Sequence, residues 1–111
     1  IRDKLNKKYM YSVLEKVGLE PRSKIPVGKY SLGMRQRLAI GQAIMENPDI
    51  LILDEPMNGL DKNGVQEMRG LFEQMKNEGK LIILASHNRE DIDVLCDEVY
   101  EMENGILQKR R

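Results

Sequence analysis

Hydrophobic residues follow two different periods along this chain, and the periods predict helices and strands in alternation. At the start of the chain apolar side chains recur every four positions, at Leu5, Tyr9, Val13 and Val17. This spacing is typical of one face of a helix and predicts a helix over residues 3–17. Gly18 is placed to end that helix, and Leu19 to fold back against its last turn. Residues 20–29 contain two prolines and Gly28, a composition that predicts a loop.

Two uninterrupted apolar runs predict strands. Residues 50–53 (ILIL) and 81–85 (LIILA) contain no polar side chain, which is expected of strands buried on both faces of a parallel sheet. Between them an amphipathic pattern predicts a helix that ends at Gly79; its apolar positions are Val65, Met68, Leu71, Phe72 and Met75. Strand, helix and strand in this order predict a βαβ unit with a right-handed crossover.

The remaining segments have clear start or stop signals. Ser31 is a plausible N-cap for a helix that ends by Asn47, because Pro48 follows. Residues 91–96 predict one or two helical turns with Ile92 and Leu95 facing inward. Residues 98–102 and 106–108 flank an Asn-Gly pair and predict a β-hairpin.

Polar side chains follow each apolar run at the point where the strand is expected to end. Asp54 and Glu55 come directly after the first run, and His87 follows the second. Pro56 ends the first strand because it has no N–H to donate. Two carboxylates at the tip of a core strand need a cation or an opening to water, since burying a lone carboxylate is costly. In open α/β sheets the carboxyl ends of the strands are where ligands bind.

Composition narrows the class of protein. The 111 residues suffice for one small domain, and 18 basic residues balance 18 acidic ones. That balance gives no support for nucleic acid or an anionic membrane as the main partner. Cys96 is the single cysteine, which excludes an internal disulfide and a cysteine-rich metal site and fits a reducing cytosol. No apolar run approaches the roughly 20 residues of a membrane span.

Four short motifs at suitable spacings resemble those of the ATP-binding-cassette (ABC) ATPases. ILILDEP resembles the Walker B segment, NGLD resembles the D-loop, and the SH pair at Ser86 and His87 resembles the switch histidine. YSLGM followed by RQR resembles the signature LSGGQ and its helix. Its Ser31, Gly33, Gln36 and Arg37 match, whereas Leu32 and Met34 depart from the pattern. This spelling is similar to that of some bacterial drug and peptide exporters.

The resemblance implies an α/β fold of the P-loop NTPase (RecA-like, ABC) type. It implies part of a three-layer sandwich with parallel core strands, part of the helical subdomain in residues 1–30, and the carboxyl-terminal half of the ATPase core with its hairpin in residues 31–111. ATP and Mg²⁺ are the implied ligands. The implied roles are metal binding through Asp54, catalysis by Glu55 and His87, and nucleotide binding or coupling through Ser31, Gly33 and Asp61.

A Walker A loop, G-x-x-x-x-G-K-[ST], is absent from the sequence. Gly28-Lys29 is followed by Tyr30 and Gly79-Lys80 by Leu81, and the glutamine of the Q-loop is absent too. Together with a start at Ile1 rather than Met, this predicts a piece of a longer protein. We expect the piece alone to be inactive, and to be oligomeric, strand-swapped or repacked near its carboxyl end, because unpaired strand edges invite pairing.

The predicted function is that of the ATP-hydrolysing subunit of an ABC transporter, lying in the cytoplasm at the inner face of the membrane. Its expected partners are a second nucleotide-binding domain, arranged head to tail, and a transmembrane permease. Two alternatives stay open: an ABC ATPase of DNA repair or translation, and a non-catalytic dimerisation module. The sequence does not indicate the transported substrate.

Overall fold

The computed structural model describes residues 7–111. Its helices are α1 (Lys7–Lys16), α2 (Leu32–Met45), α3 (Lys62–Asn77) and α4 (Arg89–Leu95), with a 3₁₀ turn at Val27–Lys29 before α2. Its strands are β1 (Ile50–Asp54), β2 (Leu81–Ala85), β3 (Tyr100–Glu103) and β4 (Ile106–Lys109). The helices and strands therefore alternate as the two hydrophobic periods predict.

The end of α1 agrees with its sequence signals. Gly18 has a φ of 81°, the left-handed conformation in which glycine has no Cβ penalty. The next residue, Leu19, donates its N–H to Leu14 O over 2.9 Å and is buried against the core. The predicted positions of this helix before Lys7, including Leu5, lie outside the described residues.

Helix α2 begins at the predicted cap and packs closely on the end of α1. The Ser31 hydroxyl accepts the N–H of Met34 over 3.2 Å. In the middle of the helix Gly41 allows a close approach, since a methyl group there would lie 3.4 Å from Val17 Cγ2. The helix ends at Met45, and Asn47 turns the chain with a φ of 53°, which confirms the predicted stop before Pro48.

Strands β1 and β2 pair in parallel, with α3 as the crossover. Their register runs from Ile50 opposite Leu81 to Asp54 opposite Ala85. The inward-facing Leu51 and Leu53 are buried in one cluster with Val17, directly after α1, and with side chains of α1, α2 and α3; the helical members include Val13, Ile40, Ile44, Met68, Leu71, Phe72 and Met75. The predicted βαβ unit is confirmed.

The prediction that both strand faces are buried is wrong for the described residues. Ile50, Ile52, Leu81 and Ile83 expose between 49% and 72% of their surface, and we call these four side chains the open face. Successive side chains of a strand point to opposite sides of a sheet. Because the described helices that join the core pack on the side of Leu51 and Leu53, the chain supplies an α/β arrangement with one of the two sheet faces covered.

The carboxyl-terminal hairpin forms separately from the parallel pair. Strands β3 and β4 are antiparallel and are joined by Asn104 (φ 52°) and Gly105 (φ 77°), the positive dihedrals that an Asn-Gly hairpin turn requires. The predicted hairpin is confirmed, with its first strand two residues later than expected. Both strands are exposed, and they form a second two-stranded sheet.

Candidate functional site

The ends of β1 and β2 bring three of the predicted site residues to one edge. Asp54 is the last residue of β1 and lies opposite Ala85, and Glu55 follows it. His87 follows β2 by two residues, and its backbone N–H donates to Glu55 Oε1 over 2.8 Å. The imidazole Nε2 lies 3.9 Å from the same carboxylate oxygen. The acidic pair and the imidazole thus share the rim that parallel pairing predicts.

The backbone of Glu55 has an unusual conformation. Its φ is 47°, in the left-handed region that residues with a Cβ seldom occupy. The N–H of Glu55 donates to Ala85 O over 2.8 Å, which extends the β1–β2 pairing by one residue. Its carbonyl accepts the Nε2 of Gln36 on α2 over 2.7 Å. Contacts from two other elements therefore fix this residue.

An open cleft of about 760 Å³ lies in front of this edge. Its lining includes Asp54, Glu55 and His87 at the ends of β1 and β2, and the segment from Glu98 to Met102. The side chain of His87 is fully exposed there, and the carboxylate of Glu55 is about one-third exposed. Charges of both signs line the cleft: Arg89, Arg110 and Arg111 are accompanied by five carboxylates, and Arg110 and Arg111 pair with Glu101 and Asp93. A polar ligand can reach both the imidazole and the acidic pair, and an anionic one would need a cation beside the carboxylates.

Asp54 is a candidate metal ligand that few other protein ligands accompany. Within residues 7–111, no three side chains of His, Cys, Asp or Glu come together as a protein-only metal cluster. Mg²⁺ keeps several water ligands and is commonly held by one or two carboxylates together with substrate phosphates. The exposed carboxylate at the strand end fits Mg²⁺ better than it fits zinc, because a zinc ion takes three or four protein side chains as ligands.

Ser31, Gly33 and Asp61 lie together but outside the cleft of Glu55. A Cβ at Gly33 would come within 3.0 Å of Gly59 O, so the start of α2 packs against the loop that precedes α3. Asp61 ends that loop, and its Oδ1 accepts the N–H of Gly64 over 2.8 Å as the N-cap of α3. The structure therefore places the three residues on a second, exposed locus, and it does not join them to Asp54, Glu55 and His87.

Two arginines have structural contacts that sequence reasoning missed. The side chain of Arg37 is only 15% exposed; it donates to Val17 O over 3.1 Å and pairs with Glu67 at 2.7 Å. Arg69 of α3 pairs with Asp91 of α4 at 2.7 Å, and Asp91 is 2% exposed. Asp91, rather than Ile92 or Leu95, is the most buried residue of α4. The sequence signal that could have indicated this contact is a charged residue at a position that helical periodicity turns inward.

Burial raises the pKa of the Cys96 thiol above its ordinary value, although the nearby Arg111 guanidinium opposes the shift. This cysteine also lines the cleft and is half-buried. A raised pKa keeps the thiol protonated and weakly nucleophilic near neutral pH.

Among the described helices, none is both long and apolar enough to span a membrane.

Comparison with known proteins identifies the family. The family model described as ABC transporter matches residues 2–58, just over half of the chain. The ABC transporter ATP-binding protein YybJ of Bacillus subtilis is 50% identical over 95 residues, 86% of this chain and 44% of that protein. The bacitracin transport ATP-binding protein BcrA of Bacillus licheniformis is 47% identical over 96 residues, 86% of this chain and 31% of that protein.

A solved structure supports the fold independently. The structure described as dimeric MJ0796, a bacterial ABC transporter cassette, superposes with a TM-score of 0.84 at 22% identity and covers all of this chain and 51% of the other. The chain thus spans about half or less of the length of the proteins it matches. From the matched family model, and in agreement with its relatives and fold, this chain belongs to the ABC transporter family.

Proposed function

We propose that this chain is the carboxyl-terminal half of a cassette that hydrolyses ATP to power transport across a membrane. The contact between His87 N and Glu55 Oε1, at 2.8 Å, is the observation that carries the proposal. It holds the Glu55 carboxylate against the backbone of His87, whose imidazole Nε2 lies 3.9 Å from the same oxygen, at the carboxyl edge of a parallel sheet and beside a cleft large enough for a nucleotide. Hydrolysis of a phosphoanhydride needs a positioned water and charge stabilisation at such a place.

Asp54 is the proposed ligand side chain for Mg²⁺, through coordinated water. Bound Mg²⁺ supplies charge neutralisation for the phosphates of ATP. The Asp54 carboxylate is exposed at the end of β1, and its strand partner Ala85 brings no competing charge. An ion that retains most of its waters needs no more from the protein at this point.

Glu55 is the proposed group that orients or deprotonates the attacking water. Its Oε1 accepts the His87 N–H, while no donor of the described residues contacts Oε2. One oxygen is thus held by the protein and the other remains to accept a hydrogen bond from water. The exposed imidazole of His87 is the proposed contact for the γ-phosphate, across the same cleft.

Ser31 and Gly33 are proposed to bind the nucleotide held by a second cassette. Both lie at the N-terminal end of α2, where a hydroxyl, backbone N–H groups and the helix dipole favour a phosphate. Their separation from the cleft of Glu55 fits a head-to-tail dimer in which each subunit completes the site of the other. Asp61, adjacent to this locus, is proposed to couple the two sites.

The remaining partner is a transmembrane permease, which residues 1–30 would contact as part of the helical subdomain. The cassette would then lie at the inner face of the membrane, in the cytoplasm. We propose a drug or peptide as the exported compound. The relation to a protein named for bacitracin transport supports this.

The 111 residues alone are proposed to be inactive. They contain no G-x-x-x-x-G-K-[ST] loop to hold the phosphates, so ATP would be gripped by sequence outside them. The cassette formed by this chain together with the sequence outside it is called the complete protein.

ATP hydrolysis by the complete protein, with and without Glu55→Gln, tests the proposal. Loss of a positioned acid–base group costs roughly 100-fold or more in kcat. We expect at least that loss in the variant, with ATP still bound, because the amide keeps the shape of the carboxylate. Glu103→Gln, at the exposed end of β3, is the control and should hydrolyse ATP at the normal rate. Normal hydrolysis by Glu55→Gln would refute the proposed site.

A further inference from the structure

One side-chain contact joins the helix that carries Ser31 and Gly33 to the backbone of Glu55. Gln36 lies in the second turn of α2 and donates from Nε2 to Glu55 O over 2.7 Å. The contact is half-buried and spans 19 residues of sequence. A short, partly desolvated hydrogen bond between separate elements can fix the position of one element relative to the other.

Glu55 needs outside support because its own backbone preferences oppose the observed conformation. A φ of 47° crowds the Cβ of any residue other than glycine. In addition, Pro56 follows, and a proline favours extended backbone at the residue before it. Such conformations persist only where the surrounding structure over-determines them, and they concentrate at functional sites.

Three hydrogen bonds provide that support. The Glu55 N–H donates to Ala85 O over 2.8 Å, and the Glu55 carbonyl accepts both Asn58 N at 3.1 Å and Gln36 Nε2 at 2.7 Å. The first two are backbone contacts that follow from the strand pairing and from the turn. Of the three, the Gln36 contact comes from a side chain of a different element. A substitution of Gln36 can therefore remove it without removing either of the two backbone hydrogen bonds.

We propose that Gln36 is a positioning residue for Glu55, which holds the Glu55 carbonyl so that its carboxylate stays beside His87 N. The inference rests on the proposed function, because it takes Glu55 as the group that acts on water. Without the Gln36 contact the carbonyl keeps only the longer hydrogen bond from Asn58 N, and the backbone of Glu55 can relax toward negative φ. The carboxylate then swings away from the 2.8 Å contact with His87 N.

Gln36→Glu in the complete protein tests the inference. An ionised glutamate has the shape of glutamine but no donor, so it cannot hold the Glu55 carbonyl. We expect kcat for ATP hydrolysis to fall roughly 10- to 100-fold, the cost of a small misplacement of a reacting group. KM for ATP should stay within about threefold, since Gln36 is not proposed to touch the nucleotide.

A pH profile separates positioning from simple packing. Below the pKa of the introduced glutamate its carboxyl regains an O–H donor, so the rate of Gln36→Glu relative to the unsubstituted protein should recover as pH falls. Gln36→Leu lacks a donor at every pH and should lose rate without recovery. Gln42→Glu, an exposed glutamine on the same helix, is the matched control and should behave like the unsubstituted protein.

The outcomes distinguish the two claims. If the unsubstituted protein hydrolyses ATP, Glu55→Gln does not, and both Gln36 variants retain normal kcat, the inference about Gln36 is overturned while the proposed function stands. A loss confined to KM, or a deficit of Gln36→Glu that is the same at every pH, also overturns it. If Glu55→Gln hydrolyses ATP normally, the proposed function itself fails.

Discussion

Single residues determine how α3 and α4 are held together. Arg69 contacts Asp91 Oδ1 through Nε at 3.1 Å and through Nη2 at 2.7 Å, and Asp91 Oδ1 is part of an almost fully buried residue. The N–H of Asp91 is capped by Asn88 Oδ1 over 2.9 Å, directly after His87. The buried pair therefore anchors the segment that presents the imidazole.

Breaking that pair should destabilise the protein strongly. Arg69→Met leaves the Asp91 carboxylate buried without its cation, and we expect the free energy of unfolding to fall by about 3 kcal/mol. Denaturant unfolding of the complete protein measures the change. Lys76→Met is the control, because Lys76 pairs with Asp97 at the surface and should have far less effect. Equal effects of the two substitutions would contradict the assignment of Arg69 as a buried anchor.

Cys96 offers a second residue-scale test. Since burial raises the pKa of its thiol, alkylation by iodoacetamide should be slower at pH 8 than for a free cysteine peptide, and its rate should rise through a midpoint above the ordinary value of 9.0. Arg111→Gln removes the cation that lowers this pKa, so the midpoint should move further up. A midpoint below the ordinary value, measured by the pH dependence of alkylation, would contradict the described environment.

Among single residues, the sequence predicted well the location of those polar side chains that a motif places at strand ends. Asp54, Glu55 and His87 meet because parallel strands end at a common edge, a rule that needs no coordinates. The contacts of Gln36, Arg37 and Arg69 could not be predicted in that way. Each joins elements 19 to 30 residues apart, so it depends on how helices pack and rotate rather than on local pattern.

Among the elements, the start of α2 and the loop before α3 are fitted to each other. Leu60 N donates to Met57 O over 3.1 Å and closes a turn in which Gly59 has a φ of 82°. A Cβ on Gly59 would lie 2.6 Å from Leu32 Cγ. The two segments that carry Ser31 and Asp61 are thus in direct contact, and neither can move freely without the other.

Gly59→Ala should therefore destabilise the protein by roughly 1–2 kcal/mol, because the alanine Cβ penalises the left-handed conformation and meets Leu32. Thermal or denaturant unfolding of the complete protein measures the change in the free energy of unfolding. Gly70→Ala is the contrasting substitution. Nothing lies within 4 Å of a Cβ there, in the middle of α3, and we expect a gain of about 0.5–1 kcal/mol. A destabilising Gly70→Ala would show that α3 packs differently from the description here.

Element types were predictable from periodicity, while strand burial was not. The apolar runs correctly predicted β1 and β2, yet a continuous apolar strand reports only that both faces are meant to be covered, not what covers them. Ile52, at 72% exposed, shows the difference. The first hairpin strand begins two residues later than predicted, because Val99 pairs with Arg110 and Arg111 outside the regular ladder.

At the scale of the whole molecule, the open face sets the behaviour of the 111 residues by themselves. Ile50, Ile52, Leu81 and Ile83 form a contiguous apolar patch across two paired strands. Patches of this kind mark surfaces that associate. The whole chain superposes on about half of a solved cassette, and the described residues leave one side of their sheet uncovered.

The isolated chain should consequently self-associate as its concentration rises, and Ile52→Lys should reduce that association by placing a charge in the centre of the open face. Sedimentation velocity over a range of concentrations measures both. Ile106→Lys is a fair control, because Ile106 is similarly exposed but lies on the hairpin. A monomer at all concentrations, or an equal response to both substitutions, would contradict the role given to the open face.

The central claim is that Asp54, Glu55 and His87 together face the phosphates of ATP. The most direct measurement is a structure of the complete protein carrying Glu55→Gln with ATP and Mg²⁺ bound. We expect the metal within water-bridged reach of Asp54 and the γ-phosphate against His87 and residue 55. Nucleotide and metal bound at a surface that leaves the rim of β1 and β2 empty would contradict the account.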